Sequence, residues 1–119
     1  MEGYWLLHYV TGNTSGDGIA MLHAGELLGG DLDHLWSGTY EREGTKLSAR
    51  IRIVPAVSSQ EEEILAREQP IILDLSGYCT DDFARLDGSA EHRTDIRFEI
   101  TMRKCKASLR GRETVDKAA

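Results

Sequence analysis

The chain has 119 residues, with 14 Lys plus Arg against 20 Asp plus Glu and a formal net charge of −6. That length fits one domain rather than two, a hydrophobic content of 40% excludes a disordered chain, and the lack of any long apolar run excludes a transmembrane helix. The first ten residues have neither the basic start nor the apolar stretch of a secretion signal, because Glu2 and His8 flank Trp5, Leu6 and Leu7; the expected setting is cytoplasmic.

Residues 4–10 read as a first strand with apolar side chains on both faces. Residues 11–18 carry three glycines with Asn13, Ser15 and Asp17 and predict a loop. Residues 19–23 predict a short strand, Ala24-Gly25 a tight reversal, and residues 26–28 the returning strand. Gly29-Gly30-Asp31 is expected to break the ladder, and residues 35–40 form the next strand, in which Gly38 marks a bulge or a close backbone approach. Glu43-Gly44 turns the chain into a strand where Leu47, Ala49, Ile51 and Ile53 alternate with Lys46, Ser48, Arg50 and Arg52.

Residues 58–69 predict the one helix. Ser59 suits its N-cap, Glu61, Glu62 and Glu63 its positive end, Arg67 its negative end, and Pro70 stops it. Ile71, Leu73 and Leu75 share one face of a further strand. Gly77 and Asp81-Asp82 precede a strand over residues 83–91. Residues 92–95 then reverse the chain into a last strand, where Ile96, Phe98, Ile100 and Met102 alternate with polar residues. About eight short strands with turn signals every 8–12 residues point to an all-β sandwich or barrel. Closing into a barrel hides the edges, and eight strands leave room for side chains or one small ligand. Residues 1–105 form that domain, and residues 106–119 a polar basic tail.

The charge is uneven. Residues 1–40 hold five acids and no Lys or Arg, while residues 103–119 hold six bases against two acids. Such asymmetry bears on partners and association. A net acidic molecule whose tail lacks interleaved aromatics is a poor phosphate binder, so direct nucleic-acid contact is not expected. Cys79 and Cys105 match no Cys-x-x-Cys pattern and read as free thiols; Cys105, beside Arg103, Lys104 and Lys106, is the more reactive candidate.

Chemical motifs are sparse. Gly12, Gly16 and Gly18 lack the Lys-Ser/Thr ending of a phosphate loop. Asp31, Asp33 and His34 are the one local group with metal-ligand chemistry, but they read as an Asp-rich turn whose side chains bond backbone N–H groups. Asp74, Asp81 and Asp82 are near in sequence, but exposed turn acids are common. Ser15, Ser37, Ser76 and Ser89 lack a nucleophile elbow. No catalytic residue, metal or cofactor is expected. Trp5, Tyr9, Trp36 and Tyr40 fit either a barrel pocket and its packing or a dimer face. The doubly apolar first strand needs cover on its second side, and a symmetric dimer supplies it most simply.

The glycine pattern Gly16-Asp17-Gly18, Gly25, Gly29-Gly30-Asp31 and Trp36-Ser37-Gly38-Thr39-Tyr40, after the opening Gly3-Tyr4-Trp5, resembles the GrlR family, named for a negative regulator of type III secretion. The resemblance spans residues 3–104 and is strongest in the first half. It implies a small lipocalin-like barrel with one main helix, working as a homodimer. It also implies no catalysis, and binding that silences a transcriptional activator. The namesake's partner contact involves an acidic Glu-Asp-Glu-Asp run; the matching turn here is Glu41, Arg42, Glu43, Gly44 and Thr45, so the four-acid run is missing.

The leading expectation is therefore a regulatory binding protein that meets its partner through that turn. The alternative is a carrier or sensor of a small apolar ligand, with Leu47, Ala49, Ile51, Phe98 and Ile100 facing its cavity by strand parity. A roomy interior would favour the carrier; a filled interior with a large exposed apolar patch would favour a protein partner.

Overall fold

The computed structural model describes residues 1–56 and 70–106. It contains eight antiparallel strands: β1 (Gly3–Thr11), β2 (Thr14–His23), β3 (Glu26–Gly30), β4 (His34–Glu43), β5 (Lys46–Pro55), β6 (Ile71–Cys79), β7 (Phe83–Ala90) and β8 (Arg93–Lys104). Each strand pairs with its neighbour in sequence, and β1 pairs with β8 to close the barrel. The expected helix over residues 58–69 and the tail beyond residue 106 lie outside the described residues.

Side-chain parity builds the interior. Trp5 and Leu7 on β1, Leu47, Ala49 and Ile51 on β5, and Phe98, Ile100 and Met102 on β8 are all buried. A barrel this small fills only if large residues meet small ones across the ladder. Trp5 faces Ala20, Leu7 faces Gly18 and Tyr9 faces Gly16. Trp36 faces Gly29, and Leu27 faces Gly38. Gly77 stands between Leu47 and Leu86, and Gly88 between Leu75 and Phe98.

Those pairs correct the glycine reading. Residues 11–18 are not a loop: only Gly12 and Asn13 turn, with Gly12 at a φ of 57°, and Thr14 onward pairs with β1. Gly16 and Gly18 are strand residues, bare because Tyr9 and Trp36 occupy the space a Cβ would need. Gly29 and Gly30 do not break the ladder; both pair with β2, and the break falls after them. Gly77 lies within β6. At Gly38 the β4–β5 register runs unbroken, so the close-approach reading holds and the bulge reading does not. A Cβ there would strike the Arg50 carbonyl oxygen. The irregularity sits instead between Ser89 and Ala90 on β7.

The outer face is laced by exposed ion pairs. Arg50 reaches Asp74 at 3.1 Å and Glu91 at 2.7 Å, and Arg93 reaches Asp95 at 3.2 Å. Pairs this exposed contribute little, so the interior carries most of the stability.

Candidate functional site

Three features stand out: a cavity at one barrel end, an apolar outer face, and the exposed β4–β5 hairpin. The barrel is packed unevenly along its axis. Toward the end where β4 runs into β5, Trp5, Leu22, Cys79, Leu86 and Met102 are almost wholly buried. The Trp5 indole N–H donates to the Met1 carbonyl at 3.0 Å, so its polar atom is satisfied. At the other end the walls enclose a cavity of about 170 Å³. Leu7, Tyr9, Trp36, Ile51, Phe98 and Ile100 line it, with Thr11, Thr14 and His34 adding polar groups and Ile53 and Ile71 more apolar wall.

Asp31 organises the rim. Its Oδ1 accepts the backbone N–H groups of Asp33 at 2.8 Å and His34 at 2.7 Å, and lies 3.3 Å from His34 Nδ1. Its Oδ2 accepts the Tyr9 hydroxyl at 3.3 Å. The Asp31–Asp33–His34 group thus serves as a turn whose aspartate binds backbone N–H groups. Tyr9 is further held by an edge contact with Trp36, centroids 6.3 Å apart and planes at 86°. Burial first, and the negative charge of Asp31 second, raise the Tyr9 phenol above its ordinary pKa.

Of the five residues expected to face a cavity, Ile51, Phe98 and Ile100 line it. Leu47 and Ala49 point inward as parity requires, but they are buried away from the cavity lining. Sequence reasoning missed Leu7, Thr11, Thr14, His34, Ile53 and Ile71 as cavity residues. The signal for Leu7 was its shared parity with Trp5; Thr14 was hidden by reading residues 11–18 as a loop.

The outer face of β1–β4 carries the second feature. Tyr4 (58% exposed) pairs with Met21, which pairs with Leu28 (61%). Beside that row, Leu6 pairs with Ile19, and Ile19 is linked through Gly30 to Leu35. These six side chains are all exposed and adjacent by register. Polar pairs frame them: His8 with Asp17, and His23 with Glu2, each at 2.8 Å. Glu2 also accepts the Ala24 N–H at 2.9 Å, and that bond first, the His23 bond second, lower its pKa. Monomeric proteins seldom leave a contiguous patch of this kind uncovered.

The predicted partner turn, Glu41, Arg42, Glu43, Gly44 and Thr45, is exposed at the packed end of the barrel. Gly44 takes a φ of 65°. The Arg42 guanidinium folds back, donating from Nε to the Gly44 carbonyl at 2.8 Å and from Nη2 to Asp81 at 3.3 Å. It is thereby drawn off the two acids, and Glu41 and Glu43 form no ion pair among the described residues. The Cys79 N–H donates to the Thr45 carbonyl at 2.8 Å, tying the hairpin to β6. Gly25 sits in the β2–β3 turn with a φ of 84°, and Tyr40 packs against the core. Cys79 is a buried free thiol and Cys105 a half-buried one. No protein-family model matches the sequence, and no curated protein matches it.

Proposed function

We propose that this barrel is a non-catalytic regulatory binding protein of lipocalin-like type, belonging with the GrlR-like regulators, that sequesters a protein such as a transcriptional activator. The observation that carries the reading is the exposed apolar face of Tyr4, Leu6, Ile19, Met21, Leu28 and Leu35, set against a barrel interior whose larger part is filled. Burial of apolar area drives most protein association. Here the area is on the surface, within residues 1–40, which hold no Lys or Arg. Two copies pair through this face, which leaves the Glu41–Thr45 turn at the packed end available to the regulated partner. The Glu41 and Glu43 carboxylates, which form no ion pair among the described residues, suit a basic surface such as that of a DNA-binding protein, and acidic charge would steer the encounter. The setting is cytoplasmic.

The test is affinity capture from the source-cell extract with mass spectrometry, comparing the wild type with a Glu41→Lys/Glu43→Lys variant. The reading expects a DNA-binding regulator on the wild type and its loss from the variant. Recovery of no regulatory protein by the wild type would overturn it.

A further inference from the structure

We infer that the cavity at the open end of the barrel is a binding site for one small, uncharged ring bearing a single hydroxyl or N–H group, a molecule of the size of a cresol. Three observations converge on that class.

The first is size. At about 170 Å³ the space matches a single ring; an engineered apolar cavity of about 150 Å³ stays dry and takes up benzene. A long acyl chain is larger than this space and could not lie wholly within it without displacing Trp36, Phe98 or the packed residues below them. The packed half leaves no continuation of the space toward Trp5 and Met102, both 1% exposed or less.

The second is the wall chemistry. Leu7, Ile51, Ile53 and Ile100 supply aliphatic wall, and Trp36 and Phe98 supply aromatic faces and edges. Water in such a space has few partners, so an apolar ring replaces it at a gain.

The third is the arrangement of polar groups, which are confined to one side. Tyr9 gives its proton to Asp31, so its oxygen still has a lone pair to accept a ligand hydroxyl or N–H. Thr11 and Thr14 lie on the same lining. Asp31, whose side chain is only 9% exposed, holds the rim with its carboxylate, and among the described residues no Lys or Arg lines the cavity; the one basic side chain there, His34, lies with its Nδ1 against Asp31. A ligand anion would enter beside that carboxylate, whose charge repels it, with no lysine or arginine among the described lining residues to offset the repulsion. Shape therefore selects one ring; the rim carboxylate repels an anion, and the mostly apolar wall penalises burial of a charge of either sign.

The test uses the whole chain with 13C-labelled Ile and Leu methyl groups, titrated separately with p-cresol, benzoate and decanoate. The site predicts that p-cresol shifts the methyl signals of Ile51, Ile53 and Ile100, and leaves those of Leu22 and Leu86 in the packed half and Leu6 and Leu28 outside unmoved. Benzoate and decanoate should bind at least tenfold more weakly. Ile51→Phe fills the space and should cut cresol affinity at least tenfold. Because Ile51 is buried, Ile53→Phe at the half-buried rim serves as a second filling variant, checked for unchanged circular dichroism. The inference fails if p-cresol moves no cavity methyl up to its solubility. It fails equally if the shifts spread over the outer face, if benzoate or decanoate binds as tightly, or if cresol affinity survives in a folded filling variant.

Discussion

Single residues decide how tightly this barrel can be wound. Gly18 is bare so that the Trp36 ring can lie over it; a methyl group there would enter that ring and meet the Gly30 carbonyl at 2.5 Å. Gly18→Ala should therefore destabilise the fold by about 1–3 kcal/mol, the usual cost of overpacking. The lowered midpoint of a urea melt, together with a change in Trp emission, checks this. Tyr9 offers a second residue-level test. Its pKa is raised in the fold, by burial and then by Asp31, so the folded state holds the phenol proton more tightly than the unfolded chain, whose value is 10.0. Its contribution is complete below that value and is lost as the pH rises through the higher folded value. Stability measured across the alkaline range should fall more steeply for the wild type than for Tyr9→Phe. The identity of each glycine was visible in the sequence, but its role was not. Glycines serve turns and inward strand positions alike, and which one applies depends on whether a ring on another strand needs the space.

At the scale of elements, the strands with strict alternation were legible, and those rich in glycine were not. β5 and β8 declare themselves because Leu47, Ala49, Ile51 and Phe98, Ile100, Met102 alternate with polar residues, and all six are buried. The N-terminal half of β2 reads as loop because Gly16, Gly18, Ser15 and Asp17 are turn formers in isolation. Pairing with β1 overrides that preference. The double apolar face of β1 was legible from Tyr4, Leu6 and Val10 alternating with Trp5, Leu7 and Tyr9, and the structure places the first set outside and the second inside. The cavity was half legible: parity gives the inward residues, but which end of a barrel stays hollow depends on side-chain volumes summed across eight strands. The β2–β3 turn gives a prediction of its own. Glu2 reaches across to accept from Ala24 and His23, and its pKa is lowered for that reason. Its contribution is present above the ordinary value of 4.5 and is lost as the pH falls through the lowered one. Glu2→Gln should speed amide exchange at Ala24 at neutral pH, with little change in β6 or β7.

At the scale of the whole molecule, closure of β1 on β8 consumes both sheet edges, so the barrel cannot recruit a partner by adding a strand. Any association must then run through side chains, and the β1–β4 outer face is where the apolar ones gather. Surface changes there should leave the fold nearly untouched, within about 0.5 kcal/mol, while removing the contact. The most direct measurement is sedimentation velocity of the wild type beside a Leu6→Glu/Leu28→Glu variant, over a range of concentrations and with circular dichroism as the control for folding. The account predicts a wild-type species of twice the 13.3 kDa chain mass and a variant that sediments as a folded single chain. A wild type that stays a single chain at every concentration, or a variant that still pairs, would contradict it.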